Sequence, residues 1–192
     1  MKPFSFAIIA AAAAVLSTPA AAQLDADKGL QFINAVKDRD GSKTDQLLSE
    51  NPRGLVNTRD GAGDTGLIIA VGRSDETYTG YLLNKGADPN LAGKGGDTPL
   101  IIAARHGFTQ GVEWLLATGA KVDATNKMGE TALITAVVQR QRPVVRMLLD
   151  AGADPDRTDT AQGYSARQYA ERDPRARDIL NLIEAKKPKP KK

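Results

Sequence analysis

Cysteine is absent from the 192 residues, which removes thiol nucleophiles, zinc-thiolate sites and iron-sulfur clusters together. His106 is the single histidine. Any Ser-His-Asp relay or histidine-metal site must pass through it, and no second His or Cys exists to complete such a site. Carboxylates are what remain for chemistry. Asp64, Asp97 and Glu130 recur at one position ahead of similar apolar runs and could form an acidic row. Paired carboxylates can act as general acid and base on a glycosidic bond, but that reaction needs a cleft deep enough to enclose a sugar. Acids near helix starts are also favourable through the helix dipole alone. The expectation is therefore a protein with no catalytic residues, no metal and no cofactor.

The row of acids comes from a repeat. GAGDTGLIIAV from Gly61, GKGGDTPLIIAA from Gly93 and NKMGETALITAV from Asn126 align, with Thr65, Thr98 and Thr131 each 33 residues apart and Ser165 a further 34 on. Downstream, LLNKGADPN from Leu82, LLATGAKVD from Leu115 and LLDAGADPD from Leu148 recur at the same period. Thr is a good helix N-cap because its hydroxyl accepts from a free backbone N–H, and Pro99 falls at the first helical position, where its missing N–H costs nothing. Gly86, Gly119 and Gly152, just past each Leu-Leu pair, suit the left-handed conformation that ends helices. Each unit then reads as two short antiparallel helices and a turn. Such a unit cannot bury its own apolar face, so stacking neighbours must supply the core.

Gly96-Asp97-Thr98-Pro99-Leu100, Ala103-Ala104, Gly107, Val112, Leu115-Leu116 and Gly119-Ala120 resemble the ankyrin repeat, and the units from Asp60 and from Asn126 match nearly as well. The resemblance spans about residues 27 to 185. One departure recurs: the family's His after Thr-Pro-Leu is Ile68, Ile101 or Ile134 here, so apolar packing should replace the hydrogen bonds of that His. The resemblance implies an all-α ankyrin-repeat solenoid of about five stacked helix-turn-helix units. The divisions are an N-terminal capping repeat over 23–60, repeats over 61–93, 94–126 and 127–159, and a C-terminal capping repeat over 160–185. It further implies a protein partner held on a concave surface made by loop tips and inner-helix ends. Carried over position by position, the partner-binding residues are Arg73, Arg105, His106 and Gln139 at helix ends, with Val138 beside them, and Lys94, Lys127 and Met128 at the tips, alongside Gly61, Ala62 and Gly95. Tyr81, Trp114 and Met147 share one position before Leu-Leu, where helical spacing argues for packing rather than an aromatic binding stripe. Gly80 and Gly111 lie within outer helices, where Gly costs about 1 kcal/mol relative to Ala, so Gly111→Ala is expected to stabilise.

Residues 1–22 have the parts of a secretory signal: Lys2, an apolar run from Phe4 to Leu16, and Ala20-Ala21-Ala22 ahead of Gln23. The apolar run is shorter than the roughly 20 residues that span a bilayer. Cleavage after Ala22 and a periplasmic or secreted product are the expectation. Residues 186–192, KKPKPKK, read as a disordered basic tail that could contact anionic envelope surfaces weakly. Removing Lys2 and the five tail lysines from the 26 Lys and Arg turns the formal +3 into about −3 for residues 23 to 185. A nucleic-acid partner is not expected from a slightly acidic body. The function expected is non-catalytic protein binding, as scaffold, inhibitor or chaperone. The competing reading is an exported effector or toxin-associated factor with a carboxylate-based activity.

Overall fold

A computed structural model describes residues 20–50 and 52–186. Most of the predicted leader and residues 187–192 of the basic tail lie outside the described residues. The elements are α1 (Ala20–Asp38), α2 (Gly41–Glu50), α3 (Pro52–Leu55), α4 (Gly66–Gly72), α5 (Glu76–Asn84), α6 (Pro99–His106), α7 (Thr109–Ala117), α8 (Ala132–Val138), α9 (Arg142–Asp150), α10 (Ala166–Arg172), a 3-10 turn (Pro174–Ala176) and α11 (Arg177–Ala185). Helices pair as α1 with α2, α4 with α5, α6 with α7, α8 with α9 and α10 with α11, and α1, α4, α6, α8 and α10 stack side by side as an inner row. Helices α5, α7, α9 and α11 make the outer row. The fold is the all-α solenoid expected.

The inner helices start as their sequence dictates. Thr65, Thr98 and Thr131 hold nearly the same extended backbone, and each hydroxyl accepts from the N–H three residues on, of Ile68, Ile101 and Ile134. Ser165 does the same for Gln168, whose side chain returns a bond to the Ser165 N–H and closes a capping box. These caps satisfy donors that a buried helix end would otherwise leave orphaned. Ile68, Ile101 and Ile134, standing where the family has His, are all buried. Burying each stabilises by about 1.5–3 kcal/mol relative to exposure. Phe32, Leu48, Leu67, Leu100, Leu133, Leu148 and Ile183 join Ile101 and Ile134 in one continuous apolar cluster running through every unit.

Turns carry the cross-repeat polar bonds. Asn57 Oδ1 accepts from the Asp88 N–H, Asn90 Oδ1 from the Lys121 N–H and Asp123 Oδ1 from the Asp154 N–H, at 2.9, 2.8 and 3.0 Å. Each unit thus fixes the turn of the next through one side chain at the same repeat position. Gly86, Gly119 and Gly152 adopt the left-handed backbone expected of them.

One expectation needs correction. A Cβ at Gly111 would sit 2.3 Å from the Phe108 ring, so Gly111 is a packing requirement and Gly111→Ala is not expected to stabilise. Lys186, the first residue of the predicted tail, is ion-paired with Asp150 at the end of α9.

Candidate functional site

The open side of the inner helices and the hairpin tips leading into them carry the predicted binding residues. Helical spacing puts Ile102 one turn past the Thr98 cap and Arg105 one turn further, on a single face. Ile69 and Ile102 are partly exposed on that face. Thr135, at the equivalent position in α8, is 6% exposed and its hydroxyl has no hydrogen-bond partner. Arg105 Nη1 reaches back to Asp97 Oδ2 at 2.8 Å, tying the end of α6 to the hairpin before it.

The acidic row exists, but each member is already occupied. Asp97 accepts from Arg105 and, through Oδ1, from Asn126 Nδ2 at 2.8 Å. Burial works to raise the Asp97 carboxyl, yet the bonds from Arg105 and Asn126 outweigh it and hold the group below the usual carboxylate range. Glu130 accepts from the same Asn126 amide at 2.7 Å. Asp64 Oδ1 accepts from the Lys94 N–H at 3.3 Å and fills the space where a Cβ on Gly93 would lie. Hydrogen bonds that stabilise the charged form make Asp97 a poor proton donor. At the last unit Asp159 accepts from the Tyr169 hydroxyl at 2.6 Å. Burial first, and then that bond, push the Tyr169 phenol up to about 12.

The predicted binding residues fall into two groups. Arg73, Lys94, His106, Lys127, Met128 and Gln139 are exposed, while Arg105 is half-buried against Asp97. Arg73 donates to the Lys37 carbonyl at 2.7 Å and Lys127 Nζ to the Lys94 carbonyl at 2.9 Å, both across a repeat boundary. The structure brings Lys94, Lys127 and Met128 together on adjacent tips, where the Lys127 N–H also meets the Gly95 carbonyl and the Met128 carbonyl accepts from Thr160. Met128 and Val138 keep 51% and 46% of their surface in solvent. Among the described residues they are exposed large apolar side chains, together with Leu30 on α1.

Residues the sequence did not single out hold these tips in place. Asn126 Oδ1 accepts from the Met128 and Glu130 N–H groups while its amide serves Asp97 and Glu130. Arg59 donates to the Gly63 and Ala92 carbonyls at 2.6 and 2.5 Å, joining two hairpins. The signal was present as Asp60, Asn126 and Asp159 at one repeat position, a residue type that folds its side chain back on its own turn.

On the outer side, a cleft of about 360 Å³ between α5 and α7 is lined by Gly80, Leu83, Asn84, Trp114, Ala117 and Thr118. No acid, histidine or amine is among those side chains. Tyr81, Trp114 and Met147 pack, partly buried, against the core. Among the described residues no group of His, Asp and Glu side chains could hold a metal ion, and no helix is long and apolar enough to cross a membrane.

The family model for ankyrin repeats, built of three copies, matches residues 32–126 and again residues 67–159. The chain belongs to the ankyrin-repeat family. The two matched stretches together cover three full units and most of the N-terminal pair. The α10–α11 pair lies beyond them yet stacks on this ankyrin core through α8 and α9. No curated protein matches the sequence. Ankyrin repeats mark a protein-protein interaction module, and the repeats of this chain imply a protein partner.

Proposed function

We propose that the chain is a non-catalytic binding protein of the bacterial cell envelope, periplasmic or secreted after removal of residues 1–22, which holds its partner in the groove between the inner helices and hairpin tips. Arg73, Lys94, Arg105, His106, Lys127, Met128 and Gln139 are the contacts proposed. The observation that carries the reading is that Met128 on a hairpin tip and Val138 at the end of α8 are exposed, as are Arg73, Lys94 and Lys127 at the tips and helix ends. Met and Arg are enriched in binding surfaces. The envelope location is supported by the sequence of the leader alone. A carboxylate-based activity is the weaker reading, because Asp64, Asp97 and Glu130 are all spent on internal hydrogen bonds.

A photo-crosslinking amino acid placed at Val138 and, in a second variant, at Glu113 on the outer helix α7 tests the groove. Protein adducts from position 138 and few from 113 are the expected result. Adducts from 113 alone would move the site to the outer helices.

A further inference from the structure

We propose that the groove takes an extended acidic segment of the partner protein, with carboxylates about three residues apart meeting Lys94 and Lys127 and an apolar side chain seated on Met128. The proposal rests on the groove reading above and adds the chemistry of the occupant.

Counted along the chain, this side of the molecule carries both signs. At the hairpins the structure separates them by depth. Asp60, Asp64, Asp97 and Glu130 are half-buried and Asp159 is buried, and each is satisfied from within: Asp60 by Lys37, Asp97 by Arg105, and the others by the bonds described above. Arg73, Lys94 and Lys127 stand exposed above them. No carboxylate among the described residues lies within ion-pair distance of these three. Arg73 and Lys127 spend their N–H groups on neutral main-chain carbonyls, which a carboxylate replaces with a stronger, charge-assisted bond. At the hairpin tips an approaching chain therefore meets positive charge first.

Other occupants fare worse on this surface. A cationic segment would have to compete with Lys37 and Arg105 for carboxylates already bonded and partly desolvated. A wholly apolar segment would bury Lys94 and Lys127 without counter-charges, which is costly. Spacing selects the geometry. Stacked helices lie about 8–10 Å apart, and an extended chain rises about 3.3 Å per residue, so three residues carry the segment from one hairpin to the next. Lys94 and Lys127 occupy the same position in successive units, and Met128 lies beside the second.

Fluorescence anisotropy of the full chain with labelled peptides tests this. The probes have Glu at every third position of a Ser/Gly background and a terminal Leu, the same sequence with Gln for Glu, and the Glu peptide with Ser for Leu. The Glu-Leu peptide should bind more weakly as salt rises, and the Gln peptide should not bind. Lys94→Glu/Lys127→Glu should weaken the Glu-Leu peptide by about tenfold or more, in a protein that still unfolds cooperatively. Arg146→Glu/Arg177→Glu, on exposed outer-row positions, controls for net charge and for the lysine tail and should leave affinity within about twofold. Met128→Ser should weaken only the peptide that carries Leu. Equal losses in the two charge-reversal variants, or no peptide binding up to about 1 mM, overturns the proposal. Tighter binding of a single-stranded oligonucleotide or of phosphatidylglycerol vesicles through the same two lysines also overturns it. If crosslinks at position 138 persist while the peptide result fails, only the occupant's chemistry is wrong. If those crosslinks are absent, the groove itself is.

Discussion

Left-handed backbone is where single residues cost this fold most visibly. Between inner and outer helices, Arg39, Ser74 and Arg140 take positive φ near 55°, and Gly107 fills the corresponding place in its own unit at 67°. A side chain in that conformation costs about 1–2 kcal/mol, a penalty Gly escapes. Ser74 is exposed and its side chain makes no cap bond for α5, whose N-cap is Asp75. Ser74→Gly is therefore expected to stabilise by about 1 kcal/mol, read as a higher urea midpoint at unchanged slope. A lower midpoint would mean the strain is already relieved locally. Arg140 is a worse choice for the same change, because it pairs with Asp173 across the next boundary.

Within the helices, Gly111 and Gly80 show how an outer helix is shaped by what crosses it. Propensity alone favours Ala at both places. At position 111 the Phe108 ring occupies the Cβ site, whereas at position 80 the Trp114 ring stands 3.3 Å away, near enough to require a small shift. Gly111→Ala is expected to destabilise by about 1–3 kcal/mol, the usual range for overpacking, as a lower melting temperature. A rise would show that Phe108 has another low-energy rotamer. The N-terminal pair relies on polar ties in addition to packing. The Tyr81 hydroxyl donates to Asp45 on α2 at 2.6 Å, and Lys85 lies 3.4 Å from the same carboxylate.

Across the whole solenoid, stability depends on neighbours, so the bonds between units should govern how it responds to acid. Asp60 is held below its ordinary value chiefly by Lys37. Asp159 is held below its own, against burial, by Tyr169 and by backbone N–H groups of its hairpin. Both folded values lie under 3.8, the value for an unperturbed Asp. The contribution of such groups is full above that value and is lost as pH falls through the lower folded one. The melting temperature is expected to hold down to about pH 4 and then to fall. Asp60→Asn/Asp159→Asn should start lower at neutral pH and show a smaller acid decline. An equal decline in both proteins would place the acid sensitivity in other carboxylates.

The period, the helix boundaries and the core were legible in the residues, because Thr caps, Gly stops and Leu-Leu pairs act within one or two turns of chain. Ile68, Ile101 and Ile134 announced burial for the same reason: an apolar side chain at a repeating position needs no distant partner to be recognised. The status of Asp64, Asp97 and Glu130 was not legible. Their spacing suggested an acidic row, and only the stacked structure supplied Arg105, Asn126 and the Lys94 N–H, donors that include residues of the next repeat, to occupy it. The same holds for the sign of the groove. Charges can be counted along a chain, but depth decides which of them a partner meets, and depth exists only once the units have stacked.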